Sequence, residues 1–125
     1  MDIEIIYKEE AFKIIGCCLD VHNNLGKGFV EVIYKDALEY KFKIKTILYE
    51  REKEFKINCK EILLPHNYYS DFTVLVKIIL EIKAIESLTN SHINQTLNYL
   101  AASKLKLGLL INLGEDSLKY KRVIL

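Results

Sequence analysis

From Glu9 to about Leu25 the apolar residues return every three or four positions. Phe12, Ile15, Leu19 and His22 form one row, and Ile14, Cys18, Val21 and Leu25 fill the neighbouring row. That period predicts an amphipathic helix. Asn23-Asn24 with Gly26 and Gly28 predict its end, because glycine takes the left-handed conformations of a helix stop. A second helix is predicted from about Phe29 to Phe42, with Val30, Ile33, Tyr34, Ala37, Leu38 and the Lys41 stem as its apolar row. The period then changes to strand. Thr46 to Lys56 reads as one strand or more, and Phe55, Ile57 and Cys59 alternate with Lys56, Asn58 and Lys60. Lys60-Glu61 could turn the chain back through Ile62-Leu63-Leu64. Asp71–Val76 and Lys77–Ile85 are two β-rich runs, predicted to form a hairpin that turns near Leu75 to Lys77. Leu88 to Leu105 returns to helical period, with Ile93, Leu97, Leu100 and Ala101 on the core face and Thr89 or Ser91 as its cap. Leu107–Leu113 is a short apolar strand. Gly114 to Ser117 is a turn, and Lys119–Leu125 is a final edge strand. This order predicts an α/β fold, a sheet with helices packed against it.

Half of the 125 residues are hydrophobic, enough for one core without a disulfide staple. No repeat, low-complexity segment or linker is visible, so the reading is a single domain over residues 1–125. Eighteen Lys and Arg against 17 Asp and Glu leave a net charge of +1, which gives no global field to draw in nucleic acid. Only Arg51 and Arg122 are arginine, the better bidentate phosphate clamp. Any polyanion must therefore be held by a local patch, such as Lys41, Lys43 and Lys45, or Lys119, Lys121 and Arg122. Cys17, Cys18 and Cys59 have no CxxC spacing and read as small apolar residues or inert thiols rather than a zinc site. No apolar run approaches the ~20 residues that cross a bilayer. The N-terminus lacks the features of a secretory signal. The expectation is a cytoplasmic protein with no membrane partner.

Candidate chemistry centres on Asp71 and on Glu81-Ile82-Lys83. Strand alternation points Glu81 and Lys83 to one face and Ile82 to the other. Both charges stand in KIILEIKAIE, a run that otherwise reads as a buried strand, where charges are rare unless paired or bound to metal. A hairpin would bring Asp71 beside Glu81. Two adjacent carboxylates repel unless a cation lies between them, and an oxygen-seeking ion such as Mg²⁺ or Mn²⁺ resolves the conflict. The alternative is an exposed edge strand carrying a Glu–Lys pair. Glu31 shares a face with Tyr34 and Leu38 near the apolar seam; alternatively it is a first-turn glutamate facing the helix dipole. His92, Gln95 and Tyr99 form a polar stripe that would either line a cleft or face solvent.

Together these residues resemble the GxxExxY proteins, a bacterial and archaeal branch of the PD-(D/E)XK nuclease superfamily. The signature is Gly28-x-x-Glu31-x-x-Tyr34. The blocks Val21–Gly28, Leu80–Glu86, Gln95–Leu100 and Leu107–Asn112 are also similar, so the resemblance covers about Ile14 to Val123. Gln95-x-x-x-Tyr99 is similar to the motif after the catalytic strand of RecB-like nucleases. The resemblance implies a PD-(D/E)XK restriction-endonuclease-like core, a central mixed sheet flanked by helices, with its active site at one end. It implies that Glu31, Asp71 and Glu81 ligate Mg²⁺ or Mn²⁺, directly or through water, and that Lys83 is the catalytic lysine. Gln95 and Tyr99 would support the site or touch substrate, with Tyr34 and His92 beside them. Relatives often carry a basic residue two positions before the aspartate, where this chain has Tyr69.

Two functions follow. One is a Mg²⁺-dependent nuclease that hydrolyses DNA phosphodiesters with a metal-activated water. The other is a catalytically silent module of the same fold that binds nucleic acid or a protein partner. A homodimer could form through the exposed final strand.

Overall fold

The structure, a computed structural model, describes residues 5–125. Helix α1 spans Lys8–Leu25 and α2 spans Glu31–Ile44. Seven strands follow: β1 (Tyr49–Arg51), β2 (Glu54–Phe55), β3 (Asn58–Cys59), β4 (Ile62–Leu63), β5 (Tyr68–Tyr69), β6 (Phe72–Val74) and β7 (Ile78–Lys83). Helix α3 (Asn90–Ser103), β8 (Leu107–Asn112) and β9 (Lys119–Ile124) complete the order.

The main sheet runs β1-β6-β7-β8-β9, antiparallel except for the parallel pair β7–β8. Helix α3 supplies the crossover that a parallel pair requires. Strands β7 and β8 are buried on both faces, and alternation splits them between two cores. Ile78, Leu80 and Ile82 of β7, with Leu107, Leu109 and Ile111 of β8, pack with Ile14, Cys18, Tyr34, Leu38 and Phe42 of α1 and α2. Ile79 and Leu110 face the other way and pack with Leu100 of α3, Tyr68 and Val123. The fold is therefore a central mixed sheet flanked by helices, as expected, and the structure places α1 and α2 on one face and α3 on the other.

Gly108 lets α3 sit this close. A Cβ there would lie 2.7 Å from Thr96 Cγ2. Gly114 has the same role against backbone, since its Cβ would overlap the N and O atoms of Ile85.

Several expectations are corrected. On α1 the buried residues are Ala11, Ile14, Cys17, Cys18, Val21 and His22, whereas Phe12 and Leu19 of the expected row are exposed, Phe12 by 79%. On α2 Tyr34, Leu38 and Phe42 carry the contact, while Val30, which precedes the helix, and Ile33 face outward. Periodicity marks which residues share a face, but the tertiary partner selects which of two adjacent apolar rows is covered. Ala101 on α3 is exposed, and Thr96 is buried in its place against Gly108. The stretch from Thr46 to Lys56, read as one strand or more, holds two short strands broken at Glu52, whose φ is 55°, and so agrees with the sequence.

Candidate metal-dependent active site

The hairpin β6–β7 has register Phe72↔Leu80 and Val74↔Ile78. Asp71, just before β6, therefore comes level with Glu81 at the end of the hairpin away from its turn. The turn is Leu75–Lys77, closed by the Lys77 N–H donating to Val74 O at 3.2 Å. Leu75 and Val76 both have positive φ, a conformation that favours glycine or asparagine.

Asp71 lies at the end of the sheet and is reached from both layers. Its Oδ2 accepts the Ile82 N–H at 2.8 Å. Its Oδ1 is 3.1 Å from Lys35 Nζ of α2, with the two side chains only 13% and 20% exposed. Lys35 Nζ also lies 3.5 Å from Glu52 Oε1. From the α3 face comes Glu81, 5% exposed. Its Oε2 accepts a long hydrogen bond, 3.4 Å, from the Asp71 N–H. Its Oε1 accepts a short one from the Tyr68 hydroxyl. Burial first, and then the Asp71 charge, push the Glu81 carboxyl up from 4.5 to about 8. At neutral pH the isolated protein therefore holds Glu81 mostly protonated. The same burial, followed by the Glu81 charge, raises the Tyr68 hydroxyl far above its ordinary range, so Tyr68 stays a donor.

Lys83 follows Glu81 on the same face of β7. Its Nζ donates to Gln95 Oε1 of α3 at 3.5 Å. Tyr99, one turn further along α3, stacks on Tyr68 with centroids 3.9 Å apart and planes 9° from parallel. Phe55 stacks on Tyr68 at 5.7 Å. The middle ring of this stack carries the hydroxyl that orients Glu81. Gln95 and Tyr99 thus stand beside the predicted site.

The other predicted residues are placed differently. Glu31 is the first residue of α2 and is exposed. It faces an open cleft of about 550 Å³ shared with Gly28, Ile85, Glu86 and Gly114. Among the described residues no three His, Cys, Asp or Glu side chains are grouped to hold a metal ion. Glu31 is therefore not gathered with Asp71 and Glu81. Tyr34 is buried, and its hydroxyl donates to Gly26 O at 2.6 Å and accepts the Phe29 N–H at 3.3 Å. It pins the loop between α1 and α2. His92 Nδ1 accepts the Thr89 N–H at 3.0 Å and completes a capping box at the start of α3.

Sequence reasoning did not find three residues. Lys35 carried a signal, since it lies four positions after Glu31 on one helix face. Tyr68 carried only its β-strand company. Asn112 is buried at the end of β8, where Oδ1 accepts from the Ile85 and Gly114 N–H groups and Nδ2 donates to Ile85 O and Glu115. It fixes the chain leaving β7, and nothing in LLINLG distinguishes it from a turn residue.

The family model of the PD-(D/E)XK nuclease superfamily matches residues 8–123. The chain belongs to this superfamily. The superfamily is named for an acidic residue followed, after one residue, by lysine, the arrangement of Glu81-Ile82-Lys83. Among solved structures, the crystal structure of SSO0001 is similar with a TM-score of 0.60 and 21% identity, over 94% of this chain and 57% of that one. At that identity the likeness shows the fold, and this chain spans less than two thirds of the length of SSO0001. No curated protein matches. No helix among the described residues is long and apolar enough to cross a membrane.

Proposed function

We propose that this chain is a Mg²⁺- or Mn²⁺-dependent nuclease of the GxxExxY branch that hydrolyses phosphodiester bonds, with DNA as substrate. The observation that carries the reading is the buried Glu81 carboxyl beside Asp71, with Lys83 one residue beyond Ile82 on the same face. Two carboxylates held together in a poorly solvated place are costly as a structural device. Their donor set suits a hard dication, since Mg²⁺ takes one or two carboxylates and completes its shell with water and substrate phosphate. The choice of DNA rests on the resemblance of the signature blocks.

A dication bound there supplies charge against the phosphoryl oxygens and acidifies water. The protein's own part is orientation. The Ile82 N–H holds Asp71 Oδ2, and the Tyr68 hydroxyl holds Glu81 Oε1, so neither carboxylate has to search for its rotamer. The Tyr99 ring keeps Tyr68 in place. Gln95 holds the Lys83 ammonium by one donor and leaves two for the substrate. There Lys83 orients the attacking water or opposes the charge that develops on the phosphate. Glu31, which lines the cleft of Gly28, Ile85, Glu86 and Gly114, acts through water or on the substrate rather than as a direct ligand. On this reading the protein is cytoplasmic and of a single domain, and β9, an outer strand of the sheet, is the place for a second copy or a protein partner.

A second reading, the catalytically silent module, is favoured by the absence of a three-residue metal cluster among the described residues. Cleavage assays with Mn²⁺ and Mg²⁺ on single- and double-stranded DNA and RNA decide between them. The expected result is cleavage that Lys83→Ala lowers by about 10²–10³-fold, the usual loss of one preorganised donor, with Mn²⁺ binding kept. Equal cleavage by Lys83→Ala would identify a contaminant. Metal binding without cleavage of any substrate would favour the module.

A further inference from the structure

We propose that Lys35 is a built-in counter-cation of this site, neutralising Asp71 while no metal is bound and setting the metal affinity by competing for that carboxylate. The inference rests on the nuclease reading and extends it to a residue outside the acidic and lysine motif. Three observations carry it. Lys35 Nζ is 3.1 Å from Asp71 Oδ1, whereas Asp71 Oδ2 is already committed to the Ile82 N–H. Lys35 therefore covers the Oδ1 side of the carboxylate, and a cation that takes this oxygen meets the ammonium there. The pair is largely withdrawn from solvent, at 13% and 20% side-chain exposure, so water screens it poorly. Finally, Glu52 Oε1 lies 3.5 Å from the same ammonium, and the Glu52 side chain is 64% exposed. The Glu52 N–H donates to Asp71 O at 3.1 Å, which ties this second acceptor to the site. Glu52 holds that place in spite of its positive φ.

These contacts define an exchange. Asp71 cannot give its free oxygen to a dication and to the Lys35 ammonium together without bringing two cations into contact. A dication that takes Oδ1 competes with the Lys35 ammonium for it, and Glu52 is the second acceptor that Lys35 already touches. Lys35 is thus a positioning residue that acts through Asp71. Its removal should strengthen metal binding, the reverse of the loss expected for a residue that assists the ion. A lysine with only a structural role would lower stability and leave the affinity unchanged.

Calorimetric titration of Mn²⁺ into the full chain, with Lys35→Met and Lys35→Arg beside wild type, tests this. Lys35→Met keeps the aliphatic bulk and removes the charge. It should bind Mn²⁺ about tenfold more tightly, equivalent to about 1.4 kcal/mol. In EDTA it should melt below wild type, and its gain in Tm on adding Mn²⁺ should be the larger. Lys35→Arg keeps the charge and should stay within about threefold of wild type. It also serves as the test should Lys35→Met fail to fold, because an arginine that loosens or tightens binding tenfold contradicts competition by charge. Unchanged or weaker Mn²⁺ binding in Lys35→Met, with wild type binding normally, overturns this inference alone. No Mn²⁺ binding by any of the proteins overturns the nuclease reading with it.

Discussion

Replacing Glu81 with glutamine in the metal-free protein should make it more stable, and only above about pH 5. The Glu81 carboxyl ionises near 4.5 in an unfolded chain and near 8 in the folded one. Between these values the native state holds a proton that the unfolded state has released. Unfolding stability therefore falls as pH rises through that window, because its slope follows the protons bound by the unfolded state minus those bound by the native one. At about 1.4 kcal/mol per tenfold in the ionisation constant, the full window sets a ceiling of about 5 kcal/mol. Water penetration and side-chain movement reduce this, and a loss of about 2–3 kcal/mol is expected from pH 5 to pH 8.5. The glutamine of Glu81→Gln keeps the size and an oxygen for the Tyr68 hydroxyl but cannot ionise. Urea denaturation in EDTA at pH 5, 7 and 8.5 reads the effect. The two proteins should agree at pH 5, with the variant ahead by about 2–3 kcal/mol at pH 8.5 and no change in m-value. Glu39 and Glu10, both held below the ordinary carboxylate range by their hydrogen-bond partners, act below this window and cancel in the comparison. A difference that is the same at all three pH values would refute the reasoning, as would a variant less stable at pH 8.5.

Two other predictions concern the frame that holds the site. Gly108→Ala puts a methyl group 2.7 Å from Thr96 Cγ2 and should cost about 1–3 kcal/mol in urea denaturation; adding Thr96→Ser, which removes that methyl and keeps the hydroxyl bond to His92 O, should recover most of the loss. Val76→Gly relieves a β-branched residue at φ 64° on an exposed turn and should raise Tm, with a gain of about 1 kcal/mol. A loss of stability there would mean that the turn is held by packing rather than strained by its backbone.

The sequence was most legible where geometry is short-range. The β6–β7 hairpin, and with it the meeting of Asp71 and Glu81, follows from strand alternation and one turn. So does the shared face of Glu81 and Lys83. The split of β7 and β8 between two cores is visible as continuous apolar runs, which an edge strand would not need. The turn itself carries no Gly, Asn or Pro to mark it, and Leu75 and Val76 read as the end of the first β-rich run, so only the meeting of the two runs points to a turn there. Partners separated by many residues were hidden. Whether Phe12 or Ile14 faces the core depends on where α2 docks. The resemblance placed Glu31 with the carboxylates and its shared face with Tyr34 and Leu38 placed it near the apolar seam, yet as the first residue of α2 it is exposed. Lys35, one turn deeper, reaches Asp71 instead. The spacing of Lys35 from Glu31 marks its helix face but not the acid it meets across the layers.

The arrangement of the site along the chain has a consequence for how the protein assembles. Asp71, Glu81 and Lys83 belong to one hairpin closed by a three-residue turn, so bringing them together costs little loop-closure entropy. That pairing sets two acids side by side, an arrangement that becomes costly once it is buried. Lys35 arrives from another layer, 36 residues before Asp71, and only once α2 has docked on the sheet. Docking of α2 on the sheet therefore brings a positive charge to the place where the hairpin sets two acids together. Contacts close in sequence lay down the reactive groups, and one distant contact makes them stable enough to wait for an ion.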